Sequence, residues 1–254
     1  MRIVAVIPSR YGSSRFEGKP LALIAGKPLI QWVYESASRA SRTSEVVVAT
    51  DDRRIFDAVH SFHGRVLMTS TEHRSGSDRV AEAVEQLGLS ADDIAINVQG
   101  DQPLVNPACF DAVVEPLLDV SQEAMSTLAF AVVDRGEYTN PKDCKVVMDH
   151  QGYALYFSRA PIPFARDGGE AFTVYKHLGV YAYTRRFLET FRQLPTGRLE
   201  SIEKLEQLRA LEYGRRIKVV VTPHDSPEVD LPEDIQRIEA ILGLLPHATG
   251  DSSF

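Results

Sequence analysis

A chain of 254 residues, 44% hydrophobic and 25% charged, has material for one α/β domain with its own core and needs no disulfide staple. Its net charge of −7 excludes a general nucleic-acid binder, which needs a basic face. No apolar run approaches about 18 residues, which excludes a membrane-spanning helix. The opening apolar run to Pro8 is too short for a secretory signal. Cys109 and Cys144 have no partner at metal-ligand or framework spacing, which fits a reducing, cytoplasmic setting.

Residues 3–7 form a β-branched run with the character of a buried parallel strand. A loop over residues 8–19, rich in Gly, Ser and Arg, follows it. Residues 28–40 read as a helix with Pro28 near its first turn. Strand 45–50 leads to Asp51 or Asp52, either of which can cap a helix towards Phe62. Strand 66–69, helix 78–87 and strand 94–98 continue the alternation, which predicts a doubly wound, mostly parallel sheet. The second half is richer in strands: 126–133, 145–148, 153–157 and 176–183, with a hairpin turn at 149–152. Helices are expected at 185–193, 201–213 and 232–242, with a strand at 217–221 before the last. Residues 167–170 read as a mobile loop and the tail after Pro246 as frayed.

Chemistry concentrates first in the loop after strand one. Arg10, Ser13, Ser14, Arg15, Gly18 and Lys19 place three cations, two hydroxyls and a flexible glycine within ten residues. Polyphosphates are bound by such convergent donors and fixed charge, and ligands settle at the carboxyl ends of parallel strands. The loop is not a P-loop: five residues separate Gly12 from Gly18, and Pro20 follows Lys19. Asp101, after Gln99-Gly100 at the end of the fourth strand, reads equally as a metal ligand or as a cap. Asp230 precedes a Pro-initiated helix, where capping is the plainer reading. Arg159, His177, Tyr181, Glu206 and Gln207 read as sheet-surface and helix-face groups, although His177 and Tyr181 share one strand face. No zinc spacing and no serine-hydrolase elbow occurs.

Taken in order, these segments resemble the 3-deoxy-manno-octulosonate (Kdo) cytidylyltransferases. The resemblance rests on Ile7-Pro8-Ser9-Arg10-Tyr11-Gly12-Ser13-Ser14-Arg15 leading to Gly18-Lys19-Pro20-Leu21, and on Val48-Ala49-Thr50-Asp51 and Asn97-Val98-Gln99-Gly100-Asp101. Tyr153-Ala154-Leu155-Tyr156-Phe157-Ser158-Arg159, His177-Leu178-Gly179-Val180-Tyr181, the run from Glu203 to Arg209, and Val229-Asp230 complete it. It extends from about Ile3 to about Ile241. It implies a Rossmann-like nucleotide-diphospho-sugar transferase fold: one domain over the whole chain, with a β-rich sugar-binding and dimerisation subdomain at about 126–215.

The resemblance also implies site roles. Arg10, Arg15 and Lys19 would hold the CTP phosphates, with Pro8, Ser13 and Ser14 beside them. Arg74, Ser75, Gly76 and Gln99 would lie near the cytidine. Asp101 and Asp230 would ligate Mg2+, and Arg159, His177, Tyr181, Glu206 and Gln207 would line the pocket for an acidic eight-carbon sugar. The implied reaction yields a CMP-sugar and pyrophosphate for lipopolysaccharide synthesis, in a cytoplasmic homodimer without nucleic-acid or membrane partners. Departures from the family pattern are Gln102 in place of Glu, Ser77-Asp78-Arg79 in place of Thr-Glu-Arg, and Glu228-Val229-Asp230 in place of Gly-Val-Asp. Leu231 in place of Thr and the polar Lys142-Asp143-Cys144 are two more. Together with Val174-Tyr175-Lys176-His177, some of these resemble a branch acting on the 8-amino analogue. A CMP-sialic acid synthetase is the nearest alternative; a silent nucleotide-binding module and a structural oligomer are more distant ones.

Overall fold

The computed structural model describes residues 1–12, 15–73, 75–119, 124–166 and 172–243. The loop expected at 167–170 and the tail after Pro246 lie outside them. Strand β1 (Ile3–Ser9) is buried along nearly its whole length. Its odd residues Ile3, Ala5 and Ile7 enter one core layer, while Val4 and Val6 enter the other. A strand with apolar cover on both faces has no polar side to show, which is why its sequence does not alternate.

The elements that follow are β2 (Leu23–Ile24), β3 (Lys27–Pro28), α1 (Leu29–Ser38), β4 (Glu45–Thr50), α2 (Arg53–Ser61), β5 (Val66–Met68), α3 (Gly76–Gln86) and β6 (Ile94–Asn97). The second half adds α4 (Pro107–Val114), β7 (Met125–Ala131), α5 (Arg135–Thr139), β8 (Lys145–Met148), β9 (Ala154–Ser158) and β10 (Tyr175–Thr184). Helices α6 (Arg185–Gln193), α7 (Arg198–Glu203) and α8 (Leu208–Glu212), strand β11 (Lys218–Thr222) and α9 (Asp234–Ile241) close the chain. The central sheet runs β11-β7-β10-β6-β1-β4-β5. β10 is antiparallel to both of its neighbours, and every other adjacent pair on this path is parallel. Residues of α1, α2, α4 and α9 pack in one core layer, and residues of α3, α6 and α8 in the other. The sheet is therefore mostly parallel and doubly wound, as the alternation predicts.

The region expected to carry the sugar-binding annex contributes β7 and β10 to this sheet and the β8–β9 hairpin beside it. The hairpin turn falls where expected: Asp149 Oδ1 accepts from Gln151 and Tyr153 N–H, and Gly152 takes φ 78°. Between Leu178 and Tyr181 the register of β10 against β7 shifts, so the strand bulges where it passes Gln99 and Gln102. A methyl on Gly179 there would lie 3.0 Å from the Gln99 side chain and 3.5 Å from Gln102 Nε2.

Three sequence expectations change. The single helix expected over 201–213 is two, because Lys204 turns left-handed at φ 56°. The break lets the Glu203 carboxylate accept from Ser158 Oγ and Arg159 N–H, while its carbonyl accepts from Arg159 Nε. Helix α4, not anticipated, carries so many apolar residues that it has little helical periodicity, and its cap is Asn106. The cap of α2 is Asp52, whose carboxylate accepts from Arg54 N–H, and Asp51 instead pairs with Arg79 at 2.7 Å.

Lys145, fully buried, donates its ammonium to three carbonyls: Asn140 at 2.9 Å, Asp143 at 2.5 Å and Arg159 at 2.8 Å. It ties the 140–143 segment to the end of β9. Replacing it with Met leaves three acceptors without a donor, at about 1–3 kcal/mol each where they stay dry. We expect Lys145→Met to lower stability by about 3 kcal/mol or more, read as a shift of the urea midpoint at unchanged slope. A shift below about 0.5 kcal/mol would mean that water replaces the ammonium.

Candidate active site

The loop after β1 is closed on itself. Gly18 N–H donates to the Tyr11 carbonyl at 2.9 Å, and Gly18 adopts φ 71° against the Tyr11 ring. A side chain there would meet both the left-handed backbone and that ring. The Arg54 guanidinium lies 3.2 Å from the centre of the same ring. The turn that follows, beginning at Lys19, points the lysine across the end of the sheet.

Lys19 is the hinge of the site. Its Nζ lies 2.7 Å from Asp101 Oδ2, 3.7 Å from Asp230 Oδ1 and 3.0 Å from the Val229 carbonyl. Arg15 reaches Asp230 from the solvent side at 2.9 Å. Val229 N–H donates to the Asp101 carbonyl at 2.9 Å, which sews the loop after β6 to the segment before α9. Neither carboxylate acts as a cap. Helix α4 is capped by Asn106, and the side chain that receives the N–H groups of Asp230 and Leu231 is Asp234. The capping reading, one of two for Asp101 and the plainer one for Asp230, is thereby displaced by their tertiary partners.

Two cavities flank this point, Lys19 and Asp101 lining one and Asp230 the other. The smaller, of about 300 Å³, is lined by Pro8, Arg10, Arg15, Lys19, Ser75, Gly76, Gln99 and Asp101, with His73 and Arg79 behind them. Each described residue expected around the nucleotide is thus on one wall; Ser13, Ser14 and Arg74 lie outside the described residues. Ser75 caps α3 by accepting from Asp78 N–H, so this cavity faces the positive end of a helix. His73 is held by Glu82, and Arg79 by Asp51 and Thr69. Sequence reasoning passed over His73 and Arg79, because a lone His and a helix Arg carry no spacing signal.

The larger cavity, of about 640 Å³, is lined by Arg159, His177, Tyr181 and Gln207, together with Asp230. Glu206 is not on its wall; it accepts from Ser77 Oγ at 2.9 Å and pairs with Arg209, and burial raises its pKa despite them. His177 and Tyr181 pack with their ring centres 5.3 Å apart and their planes tilted by 46°, on the strand face they were expected to share. Thr127 donates its hydroxyl to the Val180 carbonyl at 2.8 Å, so His177 Nε2–H must donate to Thr127 Oγ1 at 2.9 Å. Burial holds the imidazole neutral, with its pKa lowered to about 3. Burial pushes the Tyr181 phenol well above its usual range and Cys144 up to about 12, so neither ionises at neutral pH. Lys176 stays charged because Glu137 and Asp225 outweigh the cost of burying it.

No group of three or more His, Cys, Asp or Glu converges as a metal cluster among the described residues. Asp101 and Asp230 nevertheless share one cation, Lys19, and offer hard oxygen donors. That suits a magnesium ion, which takes one or two carboxylates and completes its shell with water and substrate phosphates.

The chain matches a sequence profile of the cytidylyltransferases over residues 4–217. It is 61% identical to a 3-deoxy-manno-octulosonate cytidylyltransferase of Desulfosudis oleivorans, with 95% of this chain and 98% of that protein covered. It is 58% identical to an 8-amino-3,8-dideoxy-manno-octulosonate cytidylyltransferase of Shewanella amazonensis, with 94% and 98% covered. Its fold superposes with a TM-score of 0.89 on a CMP:2-keto-3-deoxy-manno-octonic acid synthetase complexed with CTP, at 40% identity over 96% of this chain and 99% of that one.

The neutral His177 has a measurable consequence. Its folded pKa of about 3 lies below the value of 6.5 for a free imidazole. Above pH ~6.5 both states are neutral; below it the unfolded chain gains a proton that the fold refuses, so stability falls with falling pH. Between pH about 7 and about 4.5, the melting temperature should fall more steeply for the native chain than for His177→Asn. Parallel curves would show that His177 titrates freely.

Proposed function

The chain belongs to the cytidylyltransferase family, and we propose that it transfers the cytidylyl group of CTP to an octulosonate sugar acid, releasing pyrophosphate. The observation that carries this reading is the junction of two cavities at Lys19, Asp101 and Asp230. One side suits a polyanion at a helix N-terminus; the other is a roomy polar cavity of sugar size. Reacting groups bound on either side would meet at the two carboxylates.

The sugar's anomeric hydroxyl attacks the α-phosphorus in line, and the bond to the leaving pyrophosphate breaks. Arg10, Arg15 and Lys19 hold the triphosphate, which limits its freedom before attack and offsets charge gathering on the leaving group. Lys19 and Arg15 neutralise Asp101 and Asp230, and they are placed to turn towards phosphate oxygens when CTP enters. A magnesium ion held by Asp101 and Asp230 would add fixed positive charge beside the α-phosphate and lower the cost of the transition state. Gln99 and the turn at Ser75-Gly76 face the nucleoside end. Neutral His177, the Tyr181 hydroxyl, Arg159 and Gln207 orient the sugar by hydrogen bonding. No side-chain nucleophile is required, and no covalent enzyme intermediate is expected.

Two buried free cysteines and a nucleotide substrate fit a cytoplasmic enzyme. Among the described residues no helix is long and apolar enough to cross a membrane. Val133 and Phe164, 84% and 82% exposed, leave apolar surface that suits a homodimer contact.

Pyrophosphate release should require CTP among the four nucleoside triphosphates and an octulosonate as acceptor. Turnover with a sialic acid alone would favour the CMP-sialic acid reading instead. Asp101→Asn and Asp230→Asn should each lower kcat by about 100-fold or more with the circular dichroism spectrum retained. Near-native rates in both would remove the carboxylates from the chemistry.

A further inference from the structure

The larger cavity carries more acid than base: seven carboxylates line it, against four Lys or Arg side chains among the described residues. Most of these acids have strong partners. Glu137 and Asp225 hold Lys176 at 2.5 and 3.0 Å, Asp230 holds Arg15 at 2.9 Å, and Asp234 takes two backbone N–H groups. Glu228 is different. Its Oε1 accepts from the neutral amide of Gln102 at 2.9 Å. Arg237, the neighbouring guanidinium, donates at 2.7 Å to the Glu228 main-chain carbonyl rather than to its carboxylate. The surrounding protein first, and then the like charges of Asp101 and Asp230, push the pKa of this carboxyl up to about 7, with Gln102 and Lys19 opposing them.

The partner of Glu228 is arranged around it. Gln102 is fully buried, and its Oε1 has no hydrogen-bond partner. The amide gives its N–H to the carboxylate and leaves its own oxygen unsatisfied, so the acceptor dictates its orientation. A Glu at position 102 would set a second carboxylate against the first. Glu228 itself remains open to solvent within the cavity. A sealed neutral donor thus fixes a cavity-lining carboxylate that has no ion-pair partner among the described residues.

We infer that Glu228, positioned by Gln102, is the seat for an ammonium group of the sugar, so that the enzyme selects the 8-amino octulosonate over the 8-hydroxy one. This rests on the octulosonate cytidylyltransferase reading above. A plain sugar acid brings a negative charge into a cavity that is already acidic. An amine at carbon 8 makes it a zwitterion whose charges sit at opposite ends of the carbon chain. Arg159, which lines the same cavity, can meet the carboxylate while Glu228 meets the ammonium. With three or more acidic groups failing to converge at this point among the described residues, Glu228 is not arranged as a third metal ligand.

The test is initial-rate kinetics with CTP, magnesium and each sugar, for the full-length protein and for Glu228→Gln, which keeps the side-chain shape. The native protein should favour the amino sugar by about tenfold or more in kcat/KM, and Glu228→Gln should bring that ratio close to one, chiefly through KM. Gln102→Met, which frees the carboxylate without removing it, should raise KM for the amino sugar with kcat retained. CTP binding by calorimetry shows that each variant is folded. Turnover of both sugars with no preference, or a preference that survives in Glu228→Gln, overturns the proposal and leaves the cytidylyltransferase reading standing. Turnover of neither sugar by the native protein overturns both.

Discussion

The site depends on holding carboxylates together that repel one another. Asp101 leaves the end of β6 and Asp230 the segment before α9, and both reach the ammonium of Lys19. Unit charges about 4 Å apart at an effective dielectric of 20 interact by about 4 kcal/mol, so an ammonium 2.7 Å from one carboxylate and 3.7 Å from the other offsets their mutual repulsion. Lys19 supplies the balance on one side and Arg15 on the other. The backbone bond from Val229 N–H to the Asp101 carbonyl removes the remaining freedom of the two segments. The carboxylates that the chain neutralises with its own cations are hard oxygen donors, the type that suits a divalent ion.

The rest of the fold delivers these groups to one edge. β1, β4 and β6 run parallel, so the loops after β1 and β6 open on the same side. Antiparallel β10 crosses that sheet beside β6 and carries His177 and Tyr181 past the Gln99-Gly100-Asp101 loop. Its bulge at Gly179 admits the Gln99 and Gln102 side chains, which separates the smaller cavity from the larger by little more than a glycine. One reversed strand among parallel ones is therefore what joins two binding surfaces into one site.

Much of this was legible in the residues. The β-branched runs, the Gly, Ser and Arg loop and the strand–helix alternation all act locally, through backbone preference and burial on both faces, so they can be read along the chain. Helix α4 escaped because an apolar helix has no polar face to set a period. The continuous helix expected over 201–213 failed at Lys204, where Glu203 turns aside to hold Ser158 and Arg159, residues some 45 positions earlier in the chain.

By itself the sequence determined a doubly wound sheet with a cationic, glycine-containing loop after its first strand, and resemblance extended that to a cytidylyltransferase. It left Asp101 and Asp230 divided between caps and ligands, and it showed Gln102 and Glu228 only as two unconnected departures from the pattern. The tertiary structure removed the caps by pairing both aspartates with Lys19, and it joined Gln102 to Glu228. Lys19 lies 82 residues from Asp101, and Gln102 lies 126 from Glu228. Caps and strand periods arise from neighbours in the chain. The partner of a charged side chain is whatever folding brings within about 3 Å, and only the assembled sheet sets that distance.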